Sequence, residues 1–114
     1  EADDTNPAAN SFAEGFKAWL KEDSARLTDN SNSEEISAVT ACGYDAYMAI
    51  YYALEKAQST DGATLRDALA ALDVPGLVTG DLKFDENGDA IKSYAIIKTA
   101  TTEGFVFADS VAIE

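Results

Sequence analysis

Residues 76–99 read GLVTGDLKFDENGDAIKSYAIIKT, and the fold turns on how the acidic run FDENGDA at 84–90 within it is understood. A calcium loop of the EF-hand type places oxygen ligands at positions 1, 3 and 5, a glycine at 6 and a bidentate glutamate at 12. Counted from Asp85, the glycine is Gly88 at position 4, and position 12 is Ile96, which cannot ligate a hard cation. No metal site is expected there. Asn87-Gly88 between two apolar runs is instead a strong hairpin signal, because both residues tolerate the positive φ of tight turns. Around it the hydropathy repeats every second residue. LVTGDLKF (77–84) and AIKSYAIIKT (90–99) read as strands joined through that turn, and GFVFADSVAI (104–113) reads as a third. In the second strand Tyr94 and Ile96 point one way and Ala95 and Ile97 the other, which predicts burial on both faces.

Upstream the period lengthens to three or four residues. Residues 1–10, EADDTNPAAN, carry charge and Pro7 and read as a linker or a ragged start. Ser11 then opens a helix, with Glu14 as its capping-box partner and Phe12, Phe16, Trp19 and Leu20 as an apolar stripe. DSARLTDNSNS (23–33) is dense in residues whose side chains compete for backbone hydrogen bonds, so a loop is expected. A second helix is predicted from Glu35 or Ser37 to Gln58, with Val39, Gly43, Ala46, Ile50, Leu54 and Ala57 recurring at helical spacing. It is apolar or aromatic nearly all round, through Tyr44, Tyr47, Met48, Tyr51 and Tyr52, so it should make contacts on more than one side. Those tyrosines suit either a stacking platform for a ligand or a packed surface with wet hydroxyls. After a break at Ser59–Gly62, ATLRDALAAL (63–72) predicts a third helix with Leu65, Ala68, Leu69 and Leu72 inward, ended by Val74-Pro75-Gly76. Three helices followed by a small antiparallel sheet make an α+β arrangement.

The 114 residues suffice for one small domain, and a hydrophobic share of 46% with 25% charged residues is that of a globular chain rather than a disordered one. Eight basic residues against 21 acidic ones give a formal charge of −13, which makes nucleic acid and anionic membranes poor partners. With a single cysteine and no histidine, an internal disulfide, Cys-His catalysis and Ser-His-Asp catalysis are all excluded within the chain. Cys42 lies in SAVTACGYDAYMAI (37–50) and reads as a buried small hydrophobe. Asp81, Asp85, Glu86 and Asp89 cluster near the hairpin tip, where exposed carboxylates should keep ordinary pKa values and catalyse nothing. Gly76 and Gly80 precede no Gly-Lys-Ser/Thr sequence and no helix, so they form no phosphate loop. No signal-peptide pattern and no run of eighteen apolar residues is present. The residues thus describe a chain that is not an enzyme, with no catalytic residue, cofactor or metal.

GFKAWL (15–20), GYDAYMAIYYALEKAQSTDGATLRDALAAL (43–72) and GLVTGDLKFDENGDAIKSYAIIKT (76–99), in that order and spacing, resemble the C-terminal part of branched-chain amino acid binding proteins of ABC transporters. These belong to the type I periplasmic or extracellular solute-binding family, and the resemblance extends over roughly residues 11 to 108. It implies an α+β fragment of a two-lobe α/β fold, with residues 11–75 in the amino-terminal lobe and 76–114 in the other. The complete protein would close on a small amino acid-like solute and hand it to a membrane permease. It would work in the periplasm or outside the cell, a cell-surface lipoprotein included. A family position that is often aromatic falls on Val39, five residues before the tyrosine of Gly-Tyr-Asp. Valine there implies either a ligand wall without a ring, and so a different ligand size, or a core position. The helix apolar on too many sides and the doubly buried strand would follow from missing neighbours, and the isolated chain is expected to self-associate by exchanging helices or strands. Two other readings remain open: an autonomous acidic interaction module docking through its tyrosine-rich helix, and the ligand-sensing domain of a receptor.

Overall fold

The computed structural model describes residues 6–102 and 104–113. Helix α1 (Pro7–Lys21) starts ahead of Ser11 because Asn6 caps it, its side-chain oxygen accepting from the N–H groups of Ala8 and Ala9 at 3.0 and 3.2 Å. Pro7 takes the first helical position, where its missing N–H would have had no partner anyway. Ser11 and Glu14 therefore lie inside the helix instead of forming a capping box. The linker expected over 1–10 is corrected for residues 6–10, while residues 1–5 lie outside the described residues. The stretch expected as a loop contains a short helix, α2 (Ser24–Asp29), capped by the Asp23 carboxylate on the Ala25 N–H at 2.9 Å. Its Ser and Asn residues act just beyond it, where Ser31 and Asn32 take positive φ.

Helix α3 (Ala38–Ala57) is capped by Ser37 and stops at Gln58, which adopts a left-handed conformation. Helix α4 (Gly62–Ala70) begins under Asp61, whose carboxylate accepts from the Thr64 N–H at 3.0 Å. The chain then makes two sheets. Strands β1 (Asp73–Leu77), β2 (Gly80–Phe84) and β3 (Ala90–Ile91) form an antiparallel sheet in that order, and β4 (Tyr94–Thr101) pairs with β5 (Gly104–Ala112) in a separate hairpin.

Two expected strands are thus each divided. LVTGDLKF folds back on itself at Val78-Thr79, with Leu77 opposite Gly80. Val74-Pro75-Gly76, expected to end a helix, lies in β1, where an edge strand and a register irregularity between Val74 and Leu77 accommodate the proline. AIKSYAIIKT gives β3 and β4, parted at Lys92-Ser93. The Asn87-Gly88 turn forms, joining β2 to β3 with Phe84 opposite Ala90, but only Gly88 takes positive φ (87°).

The core lies between α3, α4 and the first sheet. Ala49, Ala53, Leu72, Leu77 and Leu82 are buried together, with Met48, Tyr52, Leu65, Leu69 and Phe84 packed against them. The buried side of α3 carries Asp45, Ala49 and Ala53, and the stripe predicted from spacing lies mostly outside: Val39, Gly43, Ala46 and Ile50 are exposed, while Leu54 and Ala57 are half-buried. Cys42 is exposed too, contrary to the buried hydrophobe expected. The cause is Asp45. Its carboxylate, only 5% exposed as a residue, accepts from the Val78 N–H at 3.0 Å, the Thr79 N–H at 2.7 Å and the Thr79 hydroxyl at 2.6 Å. That binding to the β1–β2 turn turns the 45/49/53 face inward and leaves the opposite face outside.

Residue 76 lies inside β1, and Leu77 and Leu82 beyond it share the core with Ala49 and Ala53. The structural break comes later, at Lys92-Ser93, beyond which every residue of β4 after Tyr94 and every residue of β5 is exposed. Among the described residues Tyr94 is half-buried and Ala95, Ile96 and Ile97 are exposed, so the burial expected on both faces of the strand at 94–97 is not provided by them. Asp45→Ala should leave the Val78 and Thr79 N–H groups without an acceptor and lower unfolding stability by about 3 kcal/mol. A urea melt followed by far-UV circular dichroism measures it, and Asp45→Asn, which keeps one oxygen, should fall in between.

Candidate functional site

The aromatic residues of α1 come at i, i+4 and i+7, so Phe12, Phe16 and Trp19 stand in a row on one side of the helix. Their rings follow one another at 5.9 and 5.7 Å between centroids. Phe12 also meets Tyr44 of α3 at 4.9 Å, and the Arg26 guanidinium lies 4.6 Å over the Trp19 ring at the far end of the row. Between this row, α3 and β1 runs an open groove of about 720 Å³ whose sides include Tyr44, Met48, Tyr52, Leu77 and Val78. None of its lining residues is charged, although the chain carries −13 overall. Such a surface suits apolar contact and ring stacking rather than recognition of a formal charge.

Val39, the one site residue expected from sequence, sits in the first turn of α3, 80% exposed, and does not line the groove. The outer face of α3 bears further exposed apolar and aromatic side chains, among them Tyr47, Ile50 and Tyr51. Tyr51 donates its hydroxyl hydrogen to Glu55 at 3.0 Å, and this bond holds the phenol above its ordinary pKa. The residue that sequence reasoning passed over is Asp45. Its signal was present: a carboxylate inside an apolar helical run, with Ala41, Cys42, Met48 and Ala49 at the positions where a basic partner would stand.

The acidic cluster is organised as a turn. Asp85 accepts from the N–H groups of Asn87 at 2.8 Å and Asp89 at 2.9 Å, while its own N–H donates to the Asp89 carbonyl at 2.9 Å. Those bonds, the Asp89 amide foremost, hold the Asp85 carboxyl below its ordinary value, a departure from the unperturbed titration expected for this cluster. Among the described residues no group of three or more His, Cys, Asp or Glu side chains could hold a metal ion. Across the first sheet Lys83 pairs with Asp73 at 2.6 Å, and that bond raises the lysine's pKa; both side chains are exposed, so the pair adds little stability.

Four helices with small antiparallel sheets, joined as described, form part of a two-lobe type I periplasmic-binding α/β fold, the architecture of small-molecule binding proteins. The family model described as "Receptor family ligand binding region" matches residues 3–102 of the 114, and the chain belongs to that family. Its members are non-enzymatic ligand-binding regions of periplasmic-binding-like proteins and receptors, they take small molecules, and they typically act in the periplasm or outside the cell. No curated protein and no solved structure gives a significant match. No helix among the described residues is long and apolar enough to cross a membrane.

The depressed Asp85 pKa fixes the sign of a pH effect. Its carboxylate stabilises the β2–β3 turn fully above the unfolded value of about 4, and that contribution is lost as pH falls through the lower folded value. An NMR titration should therefore show the Asn87 and Asp89 amide shifts moving with a midpoint below that of a free aspartate, and Asp85→Asn should abolish the movement.

Proposed function

We propose that this chain is the C-terminal part of the extracytoplasmic solute-binding component of an ABC importer, and that the complete protein binds an amino acid of the branched-chain type or a similar small molecule. The observation that supports this most is the break at Lys92-Ser93. Helices α3 and α4 share a core with the first sheet, and the chain leaves that body to build a hairpin whose residues beyond Tyr94 are exposed on both faces. A chain passing from one lobe of a clamshell to the other has that form. On this reading the crossing lies at 92–93 rather than at 76, and the β4–β5 hairpin completes the second lobe. Membership of a ligand-binding family supports the small-molecule part, and the order and spacing of the Gly-Tyr-Asp helix and the Gly-Asp-Leu-Lys-Phe-Asp hairpin support the transporter class.

The mechanism is closure. A solute that contacts both lobes stabilises the closed form by its differential affinity for it, and the closed form is what a membrane permease would receive. On this reading Val39 faces the ligand side, and its exposure supports room there for a solute or for the opposing lobe. The family description also covers receptors, so a ligand-sensing role is the second reading. A permease encoded beside the gene argues for the first, a membrane-anchored signalling region in the same polypeptide for the second.

Isothermal titration of the complete protein with leucine, isoleucine, valine and their amides and acids should show saturable one-site binding with a negative heat-capacity change. No heat from any of them would remove the amino acid reading. Val39→Phe should change the dissociation constant while shifting stability by less than about 0.5 kcal/mol, as befits a surface position; an unchanged constant would take Val39 out of the site. The isolated chain should associate through its uncovered apolar faces, and light scattering at a monomer mass across concentrations would contradict this.

A further inference from the structure

We propose that Asp45, Thr79 and Lys92 form an anchor that sets the direction in which the chain leaves the helical body for the β4–β5 hairpin, with Thr79 and Lys92 as its positioning residues. At the junction the two sheets part, so no strand ladder between β3 and β4 dictates where the hairpin points. What crosses instead is a chain of polar bonds. The Lys92 ammonium donates to the Thr79 hydroxyl oxygen at 2.7 Å and to the Thr79 carbonyl at 3.3 Å. The Thr79 hydroxyl is already oriented, because its hydrogen goes to Asp45 Oδ2 at 2.6 Å and its own N–H goes to the same oxygen at 2.7 Å. A hydroxyl that donates to a buried carboxylate presents its lone pairs outward, and a cation accepted there is held more firmly than on a freely rotating hydroxyl. The positive charge also faces, through one side chain, the buried negative charge of α3.

Two further contacts meet at the same place. The Tyr94 ring lies against Gly80, where a Cβ would come within 3.1 Å of the Tyr94 hydroxyl oxygen, and Gly80 itself has φ +95°, a backbone conformation that favours glycine. The Ile113 N–H donates to the Ser93 carbonyl at 2.9 Å, tying the end of the chain to the crossing. The hairpin is therefore tethered at its root and uncovered elsewhere. The value of this anchor as a hinge element rests on the two-lobe reading, but its geometry needs no ligand, so the two can fail separately.

Cys42 is the only cysteine and is exposed on α3, which makes it a ready spin-label position in the chain as it stands. With Ser110→Cys near the root of the hairpin as the second label, and dilution with unlabelled chain to suppress intermolecular pairs, double electron–electron resonance reads the distance between body and hairpin. The parent pair should give a narrow distribution. Lys92→Met and Thr79→Val should each widen it by roughly twofold or more through loss of the local tether, while Thr79→Ser, which keeps the hydroxyl, should superimpose on the parent. Thr79 and Lys92 lie outside the apolar core, so the helical circular-dichroism signal should not change; if one variant loses that signal, the other carries the test. Distributions in Lys92→Met and Thr79→Val that match the parent, a parent distribution as wide as theirs, or Thr79→Ser behaving like Thr79→Val would overturn the proposal.

Discussion

A buried carboxylate organises this structure. Asp45 sits in the middle of an apolar helix and accepts three hydrogen bonds from the turn between β1 and β2. An aspartate withdrawn from water is costly unless its oxygens are satisfied, and here the donors come from one tight turn, two of them backbone N–H groups that need acceptors of their own. The arrangement is specific because it requires a particular helix face and a particular turn together. Once it is made, Ala49 and Ala53 follow on the same face, their small side chains let the sheet approach, and Leu72, Leu77 and Leu82 close the core.

The remaining apolar material has a different status. Trp19 at the end of the α1 row, the outer face of α3 and the β4–β5 hairpin beyond Tyr94 are exposed, with Phe105 at 75% and Tyr47 at 69%, while Phe12 and Phe16 are half-buried. A two-stranded hairpin by itself is marginal in water, and a polypeptide rarely presents so much apolar surface without something to cover it. On the proposed two-lobe reading such surfaces would meet the rest of the lobes and the cleft. The uncharged lining of the groove beside α1 agrees with a surface meant for contact rather than for solvent, in a chain whose charge is otherwise strongly negative.

Local chemistry made much of this legible in advance. Ser37 and Asp61 cap helices where the pattern places their starts, and Gly88 turns the β2–β3 connection because a residue free of a Cβ is needed at positive φ. Asn6 was missed because the charge and Pro7 around it read as a linker, when proline at the first helical position is an initiator. The division of 77–84 at Val78-Thr79 was missed for another reason: neither residue is a strong turn former, and the turn is held by the distant Asp45 carboxylate. A window of eight residues contains no trace of a partner thirty-odd positions away.

The sequence by itself determined the order of helices before strands, the lack of any histidine and the motif spacing shared with ligand-binding regions, since each depends on residue type and local period. Which side of α3 turns inward was decided only by tertiary structure. Both sides are apolar enough to be buried, so periodicity supports either, and the choice falls to one charged group that can be satisfied in a single place. The same holds for the hairpin. Alternation predicts two strands, but whether their faces are sheltered depends on what packs there, and that is a property of neighbours rather than of the strand.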